Sequence, residues 1–256
     1  MSNRLQDKVA IVTAAAGAGM GQAIARRFGQ EGAKIVLTDA HERRAGETAA
    51  ELSQELGQEV LGLKLNVREQ GDIDACIERT LAAHGCIDIL YNNAGINKIS
   101  PLWELADEDW EMIVDICLSG TFRMMRAVLP TMIEQGAGAI VNVASTAGWQ
   151  IDPLSTGQAA YSAAKAGVMG LTRATAAEVG KHGITVNSIA PGLIYNEFLE
   201  RIYDKEWFEG EEQRTLVGRM GQADDVAGLA VYLVSEEGRF MTGEVINMSG
   251  GRYVRG

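Results

Sequence analysis

Lys8-Val-Ala-Ile-Val-Thr13-Ala-Ala-Ala-Gly17-Ala-Gly19-Met-Gly21 is the stretch that decides how this chain folds. Lys8 to Thr13 reads as a buried strand, and Gly21 to Gln30 as the helix that follows a glycine-rich turn. Glycines at such a junction let the backbone approach a pyrophosphate. The helix N-terminus adds unpaired N–H groups and partial positive charge. Thr13, Gly17, Gly19, Met20 and Gly21 are therefore candidate cofactor contacts. Glycines also serve ordinary tight turns. What favours phosphate here is the position between the first strand and first helix of a βαβ series.

Further along, Lys34–Thr38 is a second strand, ending next to Asp39. A carboxylate at the end of that strand can accept both ribose hydroxyls of an adenosine and repel a 2′-phosphate, which favours NAD over NADP. Asp39 would equally cap the next helix, Glu42–Leu56. Arg43 and Arg44 could welcome a 2′-phosphate, but they fall within that helix. Strand-like runs recur at Val60–Leu65, Ile87–Tyr91, Ala139–Val143, Ile184–Ile189 and Glu244–Asn247. The longest helical patterns run Asp107–Glu134 and Ala159–Gly180. Strands alternating with helices predict an α/β fold: a doubly wound, mainly parallel seven-stranded sheet covered on both faces. No linker, repeat or low-complexity segment divides residues 1–256, so a single domain is expected.

The chain has 256 residues, a formal charge of −11 and hydrophobic residues at 46%, which is ordinary globular composition. That charge disfavours nucleic acid and anionic membrane surfaces as partners. No run approaches the roughly eighteen apolar residues of a membrane span. Cys76, Cys86 and Cys117 lack metal-like spacing. Free thiols suit a reducing compartment, and a cytoplasmic location is expected.

Four motifs together resemble the short-chain dehydrogenase/reductase family: the glycine turn, Asn92-Asn93-Ala94-Gly95, Tyr161-Ser-Ala-Ala-Lys165, and Pro191-Gly192. The resemblance runs from the Thr13 turn to Ser249-Gly250-Gly251. It implies a nicotinamide-dependent oxidoreductase with Tyr161 and Lys165 as catalytic pair and Ser145 holding the substrate oxygen. It also implies that Asn93, Ala94 and Gly95 border the adenosine ribose and that Asn66 and Val67 lie near adenine, with the Asn66 oxygen on the ring amine. Pro191, Gly192 and Ile194 would line the nicotinamide side, with Asn196 at its carboxamide. A homotetramer is the assembly implied.

The chemistry needs these residue types. Hydride transfer to a ketone leaves an alkoxide that must be protonated. A phenol with pKa of about 10 is a slow base near neutrality. Tyr161 and Lys165 are four apart, on one helix face. An ammonium there favours the phenolate, and Ser145 can donate to the same oxygen. Taken alone, a Tyr and Lys at this spacing are commonplace, the ring packing and the amine snorkelling.

Three departures stand out. Ala14 occupies the usual position of the first glycine, with Gly17 expected to supply the missing flexibility. Cys117 stands where the family usually has a helix Asn that steadies a water, so the relay from the lysine would need rebuilding. The segment between Ser145 and Tyr161 is about three residues longer than the family's usual form.

Asn97, Trp149, Ile151, Leu154 and Tyr195 are expected to flank the substrate, with Phe198, Leu199, Tyr203, Trp207 and Phe208 in a lid over 193–217. Aromatic anchors suggest a moderately large, apolar or cyclic alcohol or ketone. The same aromatics would also serve simple packing. Two alternatives remain open: a reductase of 3-ketones on acyl-carrier protein, which would want NADP and a basic docking patch, and an NAD-binding sensor or scaffold with weakened catalysis.

Overall fold

The computed structural model describes residues 3–17, 19–150, 156–197, 199–201 and 203–254. Strands β1 (Val9–Val12), β2 (Lys34–Asp39), β3 (Val60–Lys64), β4 (Ile89–Asn92), β5 (Gly138–Val143), β6 (Ile184–Pro191) and β7 (Val245–Met248) form one sheet in the order β3-β2-β1-β4-β5-β6-β7. Every pairing is parallel. Ile11 lies opposite Val36 on one side and Leu90 on the other, and Asn92 lies opposite Asn142. The expected strands are all present, with β6 running two residues further, to Pro191.

Period-two alternation sends successive side chains to opposite faces, and helices cover both. Val12, Leu37, Tyr91 and Val141 face a core shared with Ile24 and Phe28 of α1 (Met20–Gln30). Val226 and Val231 of α8 (Ala223–Val234) complete that layer. On the other face, Ile11, Val36, Leu90 and Ile140 pack with Ile73 of α3 (Gln70–His84) and with Met124 and Val128 of α5 (Gly120–Gln135). Ala176 and Val179 of α6 (Ala159–Val179) join them. Each fully buried side chain of this size contributes about 1.5–3 kcal/mol. Helix α2 (Glu42–Leu56) covers the β2–β3 end through Ala45, Ala49 and Leu52.

Two buried hydrogen bonds link β4, β5 and α6. Asn92 Nδ2 donates to Asn142 Oδ1 at 2.9 Å, and Asn142 Nδ2 donates to Thr172 Oγ1 at 3.0 Å. Buried amides are costly when unpaired, so these bonds set both the β4–β5 register and the depth of α6.

One expectation changes. The predicted helix over 107–134 is two helices, α4 (Asp107–Val114) and α5, joined by a π-helical turn at Asp115–Ser119. A π turn accommodates one extra residue without ending the helix. Gly120 packs so tightly on Val67 that a Cβ would lie 2.6 Å from its methyl carbon. Asp115, at the head of the turn, is held by Arg68 at 2.9 Å and Arg123 at 2.7 Å. Burial opposes the charge on Asp115, but these bonds outweigh it and keep the carboxyl below its ordinary range. Among the described residues, no helix is long and apolar enough to cross a membrane.

Candidate functional site

The strand order reverses between β1 and β4, and the crevice beyond the carboxyl ends of strands at such a point is where open α/β sheets bind ligands. Thr13, Asp39, Asn93, Ser145 and Gly192 all lie at or just beyond those strand ends. Thr13 ties the two central turns together: its hydroxyl accepts from Asn93 N at 2.9 Å and Ala94 N at 3.0 Å.

The glycine turn leaves the N-terminus of α1 open. Gly19 leaves α1 without a side-chain cap, and a Cβ on Gly17 or Gly19 would meet nothing within 4 Å. Gly21 is the opposite case, since a Cβ there would lie 2.5 Å from Ala14 O and 2.7 Å from Asn93 Nδ2. Met20 packs against the core beneath. The expectation for Gly17 is corrected: the left-handed backbone is taken by Ala14 itself, at φ 50. Its strain, about 1–2 kcal/mol, is held in place by neighbouring bonds. Asn93 Nδ2 donates to Ala14 O at 3.0 Å, and Ala15 N donates to Thr38 O at 2.8 Å.

At the end of β2, Asp39 is 5% exposed. Its Oδ1 accepts from His41 N at 3.0 Å and from Arg44 Nη2 at 2.7 Å. Arg44, set aside in the sequence because it lies inside α2, thus reaches back to the predicted ribose carboxylate. His41, Glu42, Arg43 and Arg44 line an open concavity of about 450 Å³ beside it. An anion-ready helix end together with a buried carboxylate at this strand end fits a dinucleotide.

Asn66 and Val67 lie just beyond β3. The Asn66 oxygen, expected on the adenine amine, accepts from Arg68 N at 3.1 Å in a local turn, and Val67 is buried against Gly120. Pro191 ends β6, and Gly192 N donates to Met248 O at 3.0 Å. Ile194 forms a bridge with Gly221, and Asn196 O accepts from Leu199 N at 3.0 Å.

Ser145, Tyr161 and Lys165 come together. Ser145 caps the short turn after β5, its hydroxyl accepting from Ala147 N at 3.2 Å, and it lies beside the Tyr161 phenol, whose pKa it lowers. Lys165 is 2% exposed, and its Nζ lies 5.6 Å from the Tyr161 ring centroid. That ammonium donates to Val143 O at 2.6 Å. Burial pushes the phenol up to about 12; the neighbouring Cys117 works the same way, and Ser145 opposes both. Burial also pulls Lys165 down, with Cys117 opposing. Gly95 sits against this group, since a Cβ there would lie 3.4 Å from Lys165 Nζ and 3.6 Å from Cys117 Sγ.

Cys117, fully buried in the π turn, uses its sulfur on both backbone groups of Ile96, in the loop after β4. It donates to Ile96 O at 3.2 Å and accepts from Ile96 N at 3.4 Å. Thr121 Oγ1 donates to Cys117 O at 2.9 Å.

Around the opening, Asn97 Nδ2 donates to Gln158 Oε1 at 3.2 Å, tying the β4 loop to the start of α6. Trp149 is half-buried and packs near Val168 and Met169. Tyr195 packs on Phe208 and donates to Glu200, lining a pocket of about 370 Å³ with Met220 and Gln222. Tyr203 stacks on Trp207 at 3.8 Å, and Trp207 meets Phe208 edge-on within α7 (Lys205–Gln213). Leu199 opens a short helical turn ahead of them. Ile151, Leu154 and Phe198 lie outside the described residues.

A family model described as enoyl-(acyl carrier protein) reductase matches residues 14–252. A hydroxy-methyl-oxo-hexahydro-indene-carboxyl-CoA reductase of Mycobacterium tuberculosis is 39% identical, over 96% of this chain and 93% of that protein. The BbsD subunit of a hydroxy(phenyl)methylsuccinyl-CoA dehydrogenase from Thauera aromatica is also 39% identical, over 97% of both chains. A 3-oxoacyl-(acyl-carrier-protein) reductase of Escherichia coli is 36% identical, over 97% of this chain and 98% of its own. The crystal structure of a protein from Sinorhizobium meliloti described as a short-chain alcohol dehydrogenase superimposes with a TM-score of 0.89 at 31% identity, covering 98% of each chain. This chain therefore belongs to the short-chain dehydrogenase/reductase family, enzymes that act on CH–OH or keto groups with a nicotinamide cofactor.

Proposed function

We propose that the protein moves a hydride between NAD(H) and a ring-bearing secondary alcohol or its ketone, with Tyr161 as the general acid/base. The observation that carries this is the joint placement of three groups: the Ser145 hydroxyl on the Tyr161 phenol, with the Lys165 ammonium buried behind the ring. A bound nicotinamide gives or takes the hydride. In the oxidative direction Tyr161 takes the hydroxyl proton as the C–H electron pair leaves. In the reductive direction it returns that proton to the forming alkoxide. Ser145 donates to the same oxygen and stabilises its developing charge. Lys165 favours the phenolate through its charge, and its bond to Val143 O keeps it in position.

Thr13, the glycine turn and Asn93–Gly95 would hold the cofactor's phosphates and ribose. Asp39 favours NAD because its Oδ1 is already engaged by Arg44 and His41, leaving Oδ2 for ribose hydroxyls. A 2′-phosphate there would meet a buried carboxylate.

For the substrate, the aromatic surfaces of Trp149, Tyr195 and Phe208 support a flat, apolar body, and residues 193–217 would act as its lid. The two 39% relatives are named for CoA esters whose acyl groups carry rings. The runner-up is a 3-ketone on acyl-carrier protein, as in the Escherichia coli relative. Against a basic docking patch, Lys98 pairs with Asp109, and Arg214 and Arg252 pair with Glu211. A tetramer would use the long helices, where Trp110 and Phe122 are exposed, and β7.

The test is reduced-nicotinamide absorbance with NAD or NADP and a panel of secondary alcohols, ring-bearing 3-hydroxyacyl-CoA esters and their ketones. Tyr161→Phe should lower turnover at least about a thousandfold while NADH still binds, in line with loss of a general acid/base. An active Tyr161→Phe enzyme would overturn the mechanism, and inactivity of the wild type on the whole panel would favour the sensor alternative.

A further inference from the structure

After β7 the chain turns back over the opening. Gly250 and Gly251 have φ of 62 and 83, the left-handed backbone that glycine adopts at low cost. Both face the end of the lid: a Cβ on Gly250 would lie 2.9 Å from Val217 Cγ2, and one on Gly251 2.7 Å from Leu216 Cβ. Val217 N donates to Gly250 O at 3.1 Å. The next two residues point to different walls of the cleft. Arg252 pairs with Glu211 of α7, a carboxylate only 7% exposed that also takes Arg214 at 2.7 Å. Tyr253 stacks on Trp149, ring centroids 5.6 Å apart and planes 17° from parallel. Its backbone is pinned, Tyr253 N donating to Ser249 Oγ at 3.2 Å and Tyr253 O accepting from Asn247 Nδ2.

We propose that Arg252 and Tyr253 form a strap joining the lid to the wall that carries Ser145, and that this strap selects ring-bearing substrates. Trp149 lies four residues beyond Ser145, at the end of the short turn that Ser145 caps. A residue that stacks on Trp149 therefore fixes how far that aromatic face stands from the reacting centre. Arg252 reaches α7 through a nearly buried carboxylate, where removing one partner of a pair costs more than it does on the surface. Because adjacent residues make the two contacts, the lid and the wall move together. The substrate then meets an opening of set width with a flat aromatic side. The proposal rests on the hydride-transfer reading of the site.

The full-length protein is compared as Arg252→Ala, Tyr253→Ala and Tyr253→Phe. Hydrogen exchange is read at amides 205–217 (the lid), 146–150 (the wall) and 34–39 (a fold control). Arg252→Ala should speed lid exchange at least about fivefold and leave 34–39 unchanged, as expected for local opening rather than unfolding. Tyr253→Ala should speed exchange at 146–150. With NAD, it should also lower the kcat/KM ratio of 1-phenylethanol to 2-butanol by about tenfold, through KM, the size of one lost aromatic contact. Tyr253→Phe should restore both. Unchanged lid exchange in Arg252→Ala, or an unchanged ratio in Tyr253→Ala, overturns the strap. If the wild type oxidises neither alcohol nor any other substrate, the hydride-transfer reading fails, and the exchange measurements alone still decide the strap.

Discussion

Lys165→Met removes one charge and little volume, and so isolates what the ammonium does for Tyr161. The Lys165 Nζ lies 5.6 Å from the ring centroid. Two unit charges about 5 Å apart, at an effective dielectric near 20, interact by about 3 kcal/mol, or roughly two pKa units. Burial pushes the phenol up to about 12, so every unit of relief matters for a base working near neutrality. Alcohol oxidation needs the phenolate and rises with pH through the Tyr161 pKa. In the variant that rise should therefore move up by about two pH units. At a fixed pH below the plateau, activity should fall between about tenfold and a hundredfold, since a stronger base partly offsets its own scarcity. The assay is kcat/KM for NAD-linked oxidation from pH 6 to 10, with NADH binding followed separately by fluorescence. Losing the donor to Val143 O also costs about 1–3 kcal/mol of stability, so the midpoint of thermal unfolding should drop. A profile shifted by less than half a unit, in a folded variant that still binds NADH, would mean that Lys165 is neutral in the working enzyme. The electrostatic argument would then be wrong.

Cys117→Asn should keep or raise turnover, because a carboxamide can make both bonds to Ile96 better than a thiol. Cys117→Ala should instead lose about 1–2 kcal/mol in urea unfolding. Collapse of activity in a folded Asn variant would show that the sulfur has its own role. Ala14→Gly relieves about 1–2 kcal/mol of left-handed strain and adds about 0.4–1 kcal/mol of unfolded-chain entropy, so a small net gain in stability is expected. A loss above about 1 kcal/mol would contradict the strain. Asp39→Ala should raise the KM for NAD about tenfold, as loss of a charged hydrogen bond does, and raise kcat/KM with NADP by freeing Arg44. Adding Arg44→Ala should abolish the NADP gain; persistence of that gain would exclude Arg44 as its source.

Much of the fold was legible because the signals are local. The β-branched, largely apolar runs of β1, β2, β5 and β6 read as buried parallel strands despite the polar residues Asn142, Asn187 and Ser188 within them. The glycine turn and the four-residue spacing of Tyr161 and Lys165 are also local, but that spacing is commonplace by itself; the four motifs together, through their resemblance to the family, made those residues the expected centre. The π turn at Asp115–Ser119 was not legible, since the apolar periodicity of 107–134 continues whichever carbonyl closes the ring. Contacts from Val67 and Arg68, far back in the chain, select it.

The sequence by itself determined the parallel architecture and the family, because periodicity and motif spacing act over a few residues. Tertiary structure alone decided that Arg44 reaches Asp39, that Cys117 clamps the Ile96 backbone, and that Arg252 and Tyr253 bridge Glu211 of α7 and Trp149. Each of those contacts depends on where separate helices and turns come to rest on the sheet. That placement is set by packing summed over the whole core, and no short stretch of sequence encodes it.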